Sequence, residues 1–223
     1  MFPIADENFS TERPYVTYGL IITNILIYTI NYFTGDSLNN LFAFVPENFL
    51  LGIEPWTIIT HQFMHGGWAH LLGNMWFLII FGDNIEATLG KTKYIIFYLF
   101  CGIIAALSHM AFNMESVVPT VGASGAISGI LGAYIVLYPK NKISTLIPFG
   151  FVRIYKVEAL YYLIIWFVLQ LVFSIGDSNG GIAYMAHLGG FLGGVVLIKL
   201  FGGKKKKAIR DSLYTWENRY DKA

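Results

Sequence analysis

Val121 to Tyr138 reads VGASGAISGILGAYIVLY, and Ala186 to Gly194 reads AHLGGFLGG. Both stretches are apolar and dense in glycine, and among their polar residues are Ser124 in the first and His187 in the second. Gly125-xxx-Gly129, Gly189-xxx-Gly193 and Gly190-xxx-Gly194 are small-xxx-small patterns, which let two helix backbones touch. A hydroxyl and an imidazole in such helices are costly in lipid unless they have a use. A serine nucleophile needs a base to take its proton, and histidine is the usual one. The two helices are therefore expected to pack together and to join Ser124 to His187.

The rest of the chain supports a membrane setting. Of 223 residues, 55% are hydrophobic and 13% charged, and the mean hydropathy is +0.56. This is too apolar for a soluble domain. Six apolar stretches read as spans at about 15–33, 68–83, 94–112, 121–138, 157–175 and 181–201. Each approaches the ~20 residues that cross ~30 Å of hydrocarbon as a helix. The alternating segments of a β-barrel are absent from the sequence. The expected class is all-α, a polytopic six-helix bundle over 15–201. A polar segment, 1–14, precedes it, and a basic tail, 202–223, follows. Lys204 to Lys207 read as a stop and an anionic-lipid anchor, and the tail after Lys207 as a short surface helix.

Lys and Arg give the orientation. With six spans, all 15 fall on one side, in the N-terminal segment, the second and fourth connections and the tail. The positive-inside rule then makes both termini cytoplasmic, and an odd number of spans breaks the partition. The net charge of +1 gives no reason to expect a nucleic-acid partner. Cys101 is the single cysteine, so it has no disulfide partner within the chain and is expected to pack in the core. The segment from Gly35 to Gly67 is too apolar for a solvated loop and is expected to lie in the outer interface as short packed pieces.

Orientation also fixes depth. At 1.5 Å per residue, Ser124 lies about 7 Å, His187 about 9 Å and Asn74 about 10 Å below the outer ends of their spans. His70 lies nearer the surface. Four polar side chains from three helices thus share one outer layer that water can reach. His70 and Asn74 are spaced i, i+4, on one helix face, and can donate to a developing oxyanion. No Asp or Glu lies in the interior of a span, Asp83 and Glu158 standing at inner ends, so a Ser–His pair without a carboxylate is expected. Ser128, one turn below Ser124, is a candidate to hold the imidazole. The spacing of His61, His65 and His70 also admits a metal, but no carboxylate or thiol joins them, and neither a metal nor another cofactor is expected.

Three motifs in order, Gly122-Ala-Ser124-Gly125, Ala186-His187-Leu-Gly189 and His70-Leu-Leu-Gly-Asn74, resemble those of the rhomboid family of intramembrane serine proteases. The resemblance runs from about Trp56 to Gly194 and includes the histidine series His61, His65, His70. It implies Ser124 as nucleophile and His187 as base and then acid. It also implies an oxyanion hole of His70, Asn74 and the Ser124 amide, with Gly122 shaping the turn. The fifth helix and the loop near Ser178 would then gate and cap the site. Its substrates would be transmembrane segments of other proteins, in contact with membrane lipids. The bare six-helix form fits a bacterial inner membrane. Two positions depart from the family: Thr57 follows Trp56 where Arg is frequent, and Ser128 stands where some members have an aromatic. A non-catalytic rhomboid-like chaperone or trafficking factor is the alternative, although this chain keeps both nucleophile and base. A transporter would need ionisable groups in the inner halves of the spans.

Overall fold

The computed structural model describes residues 2–7, 13–149, 151–176 and 182–202. The loop near Ser178 and the basic tail beyond Gly202 lie outside the described residues. Each of the six apolar stretches is a helix: α1 (Tyr15–Phe33), α5 (Trp68–Leu89), α6 (Lys91–Phe112), α7 (Ser124–Leu137), α8 (Ala159–Gly176) and α9 (Tyr184–Leu200). Of these, α1 and α6 are long and apolar enough to cross a membrane by length and composition. The shorter α7, α8 and α9 are apolar too. Helices α1 and α8 turn large apolar side chains outward, among them Ile22, Leu26, Ile30, Val168, Val172 and Phe173. An outward apolar belt of this kind suits hydrocarbon rather than water.

The centre is the α7–α9 contact, with α6 packed against both. A Cβ added at Gly190 would run into the Gly125 carbonyl. One added at Gly194 would meet the Gly129 carbonyl, and one at Gly132 the Phe191 carbonyl. The small-xxx-small pattern thus does what it allows: the backbones touch. Cys101 is buried beside Gly129. Around this pair sits an aromatic layer of Tyr94, Phe97, Tyr98, Phe81, Tyr134 and Tyr138, all essentially inaccessible.

One buried polar group serves a helix end. The first N–H groups of α1 have no partner within their own helix. Glu86 from α5 supplies one: its Oε1 accepts from Val16 N (3.0 Å), and its Oε2 accepts from Thr17 N and Oγ1 (2.8 Å each). A buried carboxylate at a helix N-terminus also favours the macrodipole.

The segment after α1 folds into short pieces: α2 (Ser37–Phe42), α3 (Pro46–Leu50), α4 (Thr57–Thr60) and a turn of 3-10 helix (His61–Phe63). Phe44 is fully buried, while Leu50, Leu51 and Trp56 point outward. Thr57, at the position where an arginine is frequent, is itself buried. Its hydroxyl donates to Glu54 O (2.7 Å), and its carbonyl accepts from His61 Nδ1 (2.8 Å). Thr57 thus holds the turn from Glu54 to His61 together locally.

The all-α expectation needs one correction. An antiparallel sheet of three strands, β1 (Phe2–Asp6), β2 (Lys142–Phe149) and β3 (Phe151–Glu158), is present with order β1-β2-β3. The connection between α7 and α8 is thus a hairpin, paired from Lys142↔Glu158 to Phe149↔Phe151. Residues near the N-terminus add its third strand. The strand β1 is also held to the helices: Trp76 Nε1 donates to Pro3 O (2.7 Å), and Asp6 accepts from Asn84 Nδ2 (2.9 Å) and Tyr134 OH (2.7 Å). Hydropathy counting misses the sheet because its strands carry Lys142, Arg153 and Lys156 among β-branched residues.

Candidate active site

The polar layer forms at the beginnings of three helices. Ser124 is the first residue of α7, His187 lies in the first turn of α9, and His70 and Asn74 lie in the first two turns of α5. They line one cavity of about 700 Å³, together with Gly122, His61, His109 and small residues such as Ala105 and Ala183. Ser124, His187 and His70 are half-buried, so the cavity reaches them, and Asn74 is buried.

His187 Nε2 and Ser124 Oγ are 2.9 Å apart, joined across 63 residues of chain. The α7–α9 backbone contact brings them together, since Gly190 lies one turn beyond His187 and rests on Gly125 beside Ser124.

Gly122 ends the approach to α7. Its φ of +125° is backbone that L side chains rarely adopt. Its N–H donates to His61 O (2.9 Å), which fixes the turn to the segment before α5. A Cβ there would lie 2.7 Å from His70 Nε2 and 3.5 Å from Asn74 Nδ2. The missing side chain therefore leaves a cradle, faced by two side-chain nitrogens and adjacent to Ser124. The Ser124 N–H, in the first turn of α7, has no acceptor within its own helix.

Asn74 is held by a neighbour. Burial, with His70 beside it, pushes the His65 imidazole down to about 3, so the ring is neutral. Its Nε2 accepts from Asn74 Nδ2 (3.0 Å). One amide hydrogen of Asn74 is used there and the other is left. His65 also packs edge-on against His70 (ring centroids 5.1 Å apart). His65 thus holds Asn74 and packs on His70 beside the cradle.

The expectation for Ser128 fails. Its hydroxyl donates to Ser124 O within its own helix (2.7 Å) and does not touch the imidazole. The far nitrogen of His187 instead faces α8, where Gln170 Oε1 lies 2.8 Å from Nδ1. Trp166, one turn earlier on α8, and Tyr184 flank the imidazole with ring centroids 6.3 Å away. Reading the sequence for a buried carboxylate passes over Gln170. The signal for it is a lone carboxamide in the apolar run Leu163–Phe173.

The chain has relatives among known proteins. Residues 53–204 match the rhomboid domain family, two thirds of the chain and all of the cavity-lining helices. The chain belongs to the rhomboid family. Rhomboid membership makes it an integral membrane protein. It is 31% identical over 205 residues to "Rhomboid protease GluP" of Bacillus subtilis, covering 90% of this chain and 38% of that protein. It is 30% identical over 212 residues to "Putative rhomboid protease YdcA" of the same organism, covering 92% of this chain and 98% of that protein. "RHOMBOID-like protein 1" of Arabidopsis thaliana is 28% identical, with 85% of this chain and 54% of that protein aligned. The chain thus spans about half or less of the length of the first and third, and nearly all of the second.

Proposed function

We propose that this rhomboid is an intramembrane serine endopeptidase that cuts transmembrane segments of other membrane proteins near the outer face. The contact of 2.9 Å between His187 Nε2 and Ser124 Oγ, at the wall of a cavity, carries the reading. His187 Nε2 takes the hydroxyl proton as Ser124 Oγ attacks the scissile carbonyl. The oxygen, now an anion, moves into the Gly122 cradle towards His70, Asn74 and the Ser124 N–H. His187 then returns the proton to the leaving amine, and the amine departs as the acyl-enzyme forms. Water entering through the cavity hydrolyses the ester by the same steps in reverse roles.

The proposed topology follows the charge partition: six spans, both termini cytoplasmic, in a bacterial inner membrane. The N-terminal ends of α5, α7 and α9, and with them the site, then face outward. A helical peptide bond is shielded by its own hydrogen bonds, so substrates carry a Gly or Pro near the cut that loosens the helix.

Two results test this. A fluorophosphonate probe labels the wild-type protein, and a co-expressed single-span reporter is cut in the outer third of its span or just outside it. Mass spectrometry of the fragments locates the bond. No labelling removes the enzyme, and a cut in the inner half removes the orientation or the choice of Ser124.

Loss of an oxyanion donor acts on the transition state. His70→Ala and Asn74→Ala are each expected to lower kcat by roughly 10²-fold, towards the lower end for a single donor because others remain. Steady-state kinetics on the reporter checks this. A rise in KM at unchanged kcat argues that these side chains bind substrate instead.

A further inference from the structure

Helix α8 is apolar along its middle, yet it aims one carboxamide at the base. Gln170 is half-buried, and its Oε1 lies 2.8 Å from His187 Nδ1. A carboxamide oxygen can only accept, so Nδ1 must carry the proton. A neutral imidazole has one N–H. Its lone pair is then on Nε2, 2.9 Å from the Ser124 hydroxyl, which can donate to it. The opposite tautomer would require the carboxamide to turn over and donate from its Nε2, and it would put an N–H against Ser124 Oγ. The remaining neighbours do not select a tautomer: Ser128 is bonded to its own helix, and Trp166 and Tyr184 offer ring faces or edges.

We propose that Gln170 is the positioning residue for the base, holding His187 in the Nδ1–H tautomer and in the rotamer that reaches Ser124. It stands where a carboxylate would stand in a three-residue site. A neutral amide does this without a buried charge. As His187 becomes cationic, the Nδ1–H bond to Gln170 gains strength, because its donor is then charged. Gln170 and Trp166 are spaced i, i+4, so one face of α8 supplies both the acceptor and a wall for the ring. The imidazole is therefore aligned only while α8 is packed against α9. This inference rests on the proposed peptidase activity.

The test uses the full chain in lipid bilayers and three proteins: wild type, Gln170→Met, which keeps the volume and removes the acceptor, and Gln170→Glu, which restores an acceptor in either protonation state. Nitrogen NMR of isotope-labelled histidine, assigned through loss of the signal in His187→Asn, reads the tautomer. Wild type and Gln170→Glu are expected to hold His187 as Nδ1–H, and Gln170→Met to lose that preference. Reporter kinetics should show kcat falling roughly 10- to 100-fold in Gln170→Met with KM within about twofold, and most of kcat returning in Gln170→Glu. A wild-type His187 in the Nε2–H form overturns the inference directly. So does a Gln170→Met protein that keeps wild-type kcat, or one that changes only KM. If wild type neither cuts the reporter nor reacts with a fluorophosphonate, the peptidase reading fails, and the tautomer spectrum still decides the contact.

Discussion

Ser124→Ala and His187→Ala each bring reporter cleavage to background, and the double mutant is no worse than either single. The two side chains act as one unit, since the hydroxyl is a weak nucleophile without the imidazole and the imidazole has nothing to deprotonate without the hydroxyl. In a serine protease, removing one member of such a unit costs about as much as removing all of it, roughly 10⁶-fold. The bundle survives both changes. Ser124 and His187 are half-buried at the cavity wall, and α7 is held to α9 by glycine backbones rather than by their hydrogen bond. Thermal unfolding in detergent should therefore stay near the wild-type value while fluorophosphonate labelling vanishes in Ser124→Ala. Appreciable cleavage by purified Ser124→Ala would remove the nucleophile assignment.

The second large effect comes from the helix contact itself. Gly194→Val is expected to leave little folded protein, and Gly194→Ala to be severely destabilised. The added Cβ meets the Gly129 carbonyl, which is backbone and cannot rotate away. Overpacking typically costs about 1–3 kcal/mol, and a clash with backbone at a helix crossing belongs at or above the top of that range. Any relief must push α7 from α9, and a shift of about 1 Å at the reacting groups already costs roughly 10²-fold in rate. Gly19→Ala in α1 is the control, because a Cβ there finds nothing within 4 Å. Size-exclusion profiles and thermal unfolding separate the two. A Gly194→Ala protein as stable as wild type would mean that the helices cross elsewhere.

The sequence discloses helices better than it discloses what faces what. α1 begins and ends where the apolar run does, at Tyr15 and Phe33, because hydrocarbon length and helix rise leave little choice. Ser124, His187, His70 and Asn74 are legible because polar groups in apolar helices are rare and because depth can be counted along a helix. The glycine rows announce which helices touch. The partner of His187 is not legible in this way. Ser128 has the right spacing along its own helix, but its hydroxyl finds the Ser124 carbonyl four residues back, the local bond always open to a helical serine. Gln170 reaches the imidazole only through the rotation of α8 about its axis, which no period in an apolar helix specifies. The sheet is lost for another reason. Lys142 to Glu158 carries β-branched and aromatic residues on both sides of Gly150, a hairpin signal, but its charges read first as a cytoplasmic connection.

That sheet imposes an order of assembly. Phe2 pairs with Leu146, and Asp6 meets Tyr134 across 128 residues. During synthesis the residues of β1 wait, with their strand edge unsatisfied, until the hairpin that follows α7 has emerged. The ties from Trp76 and Asn84 are available sooner but give no ladder. The N-terminal strand is thus a clasp of high contact order that shuts late on a bundle already in place. Its closure marks the passage from an inserted chain to a finished one. A bulky group fused to its outer edge would be felt at that moment, as slow maturation of the folded protein.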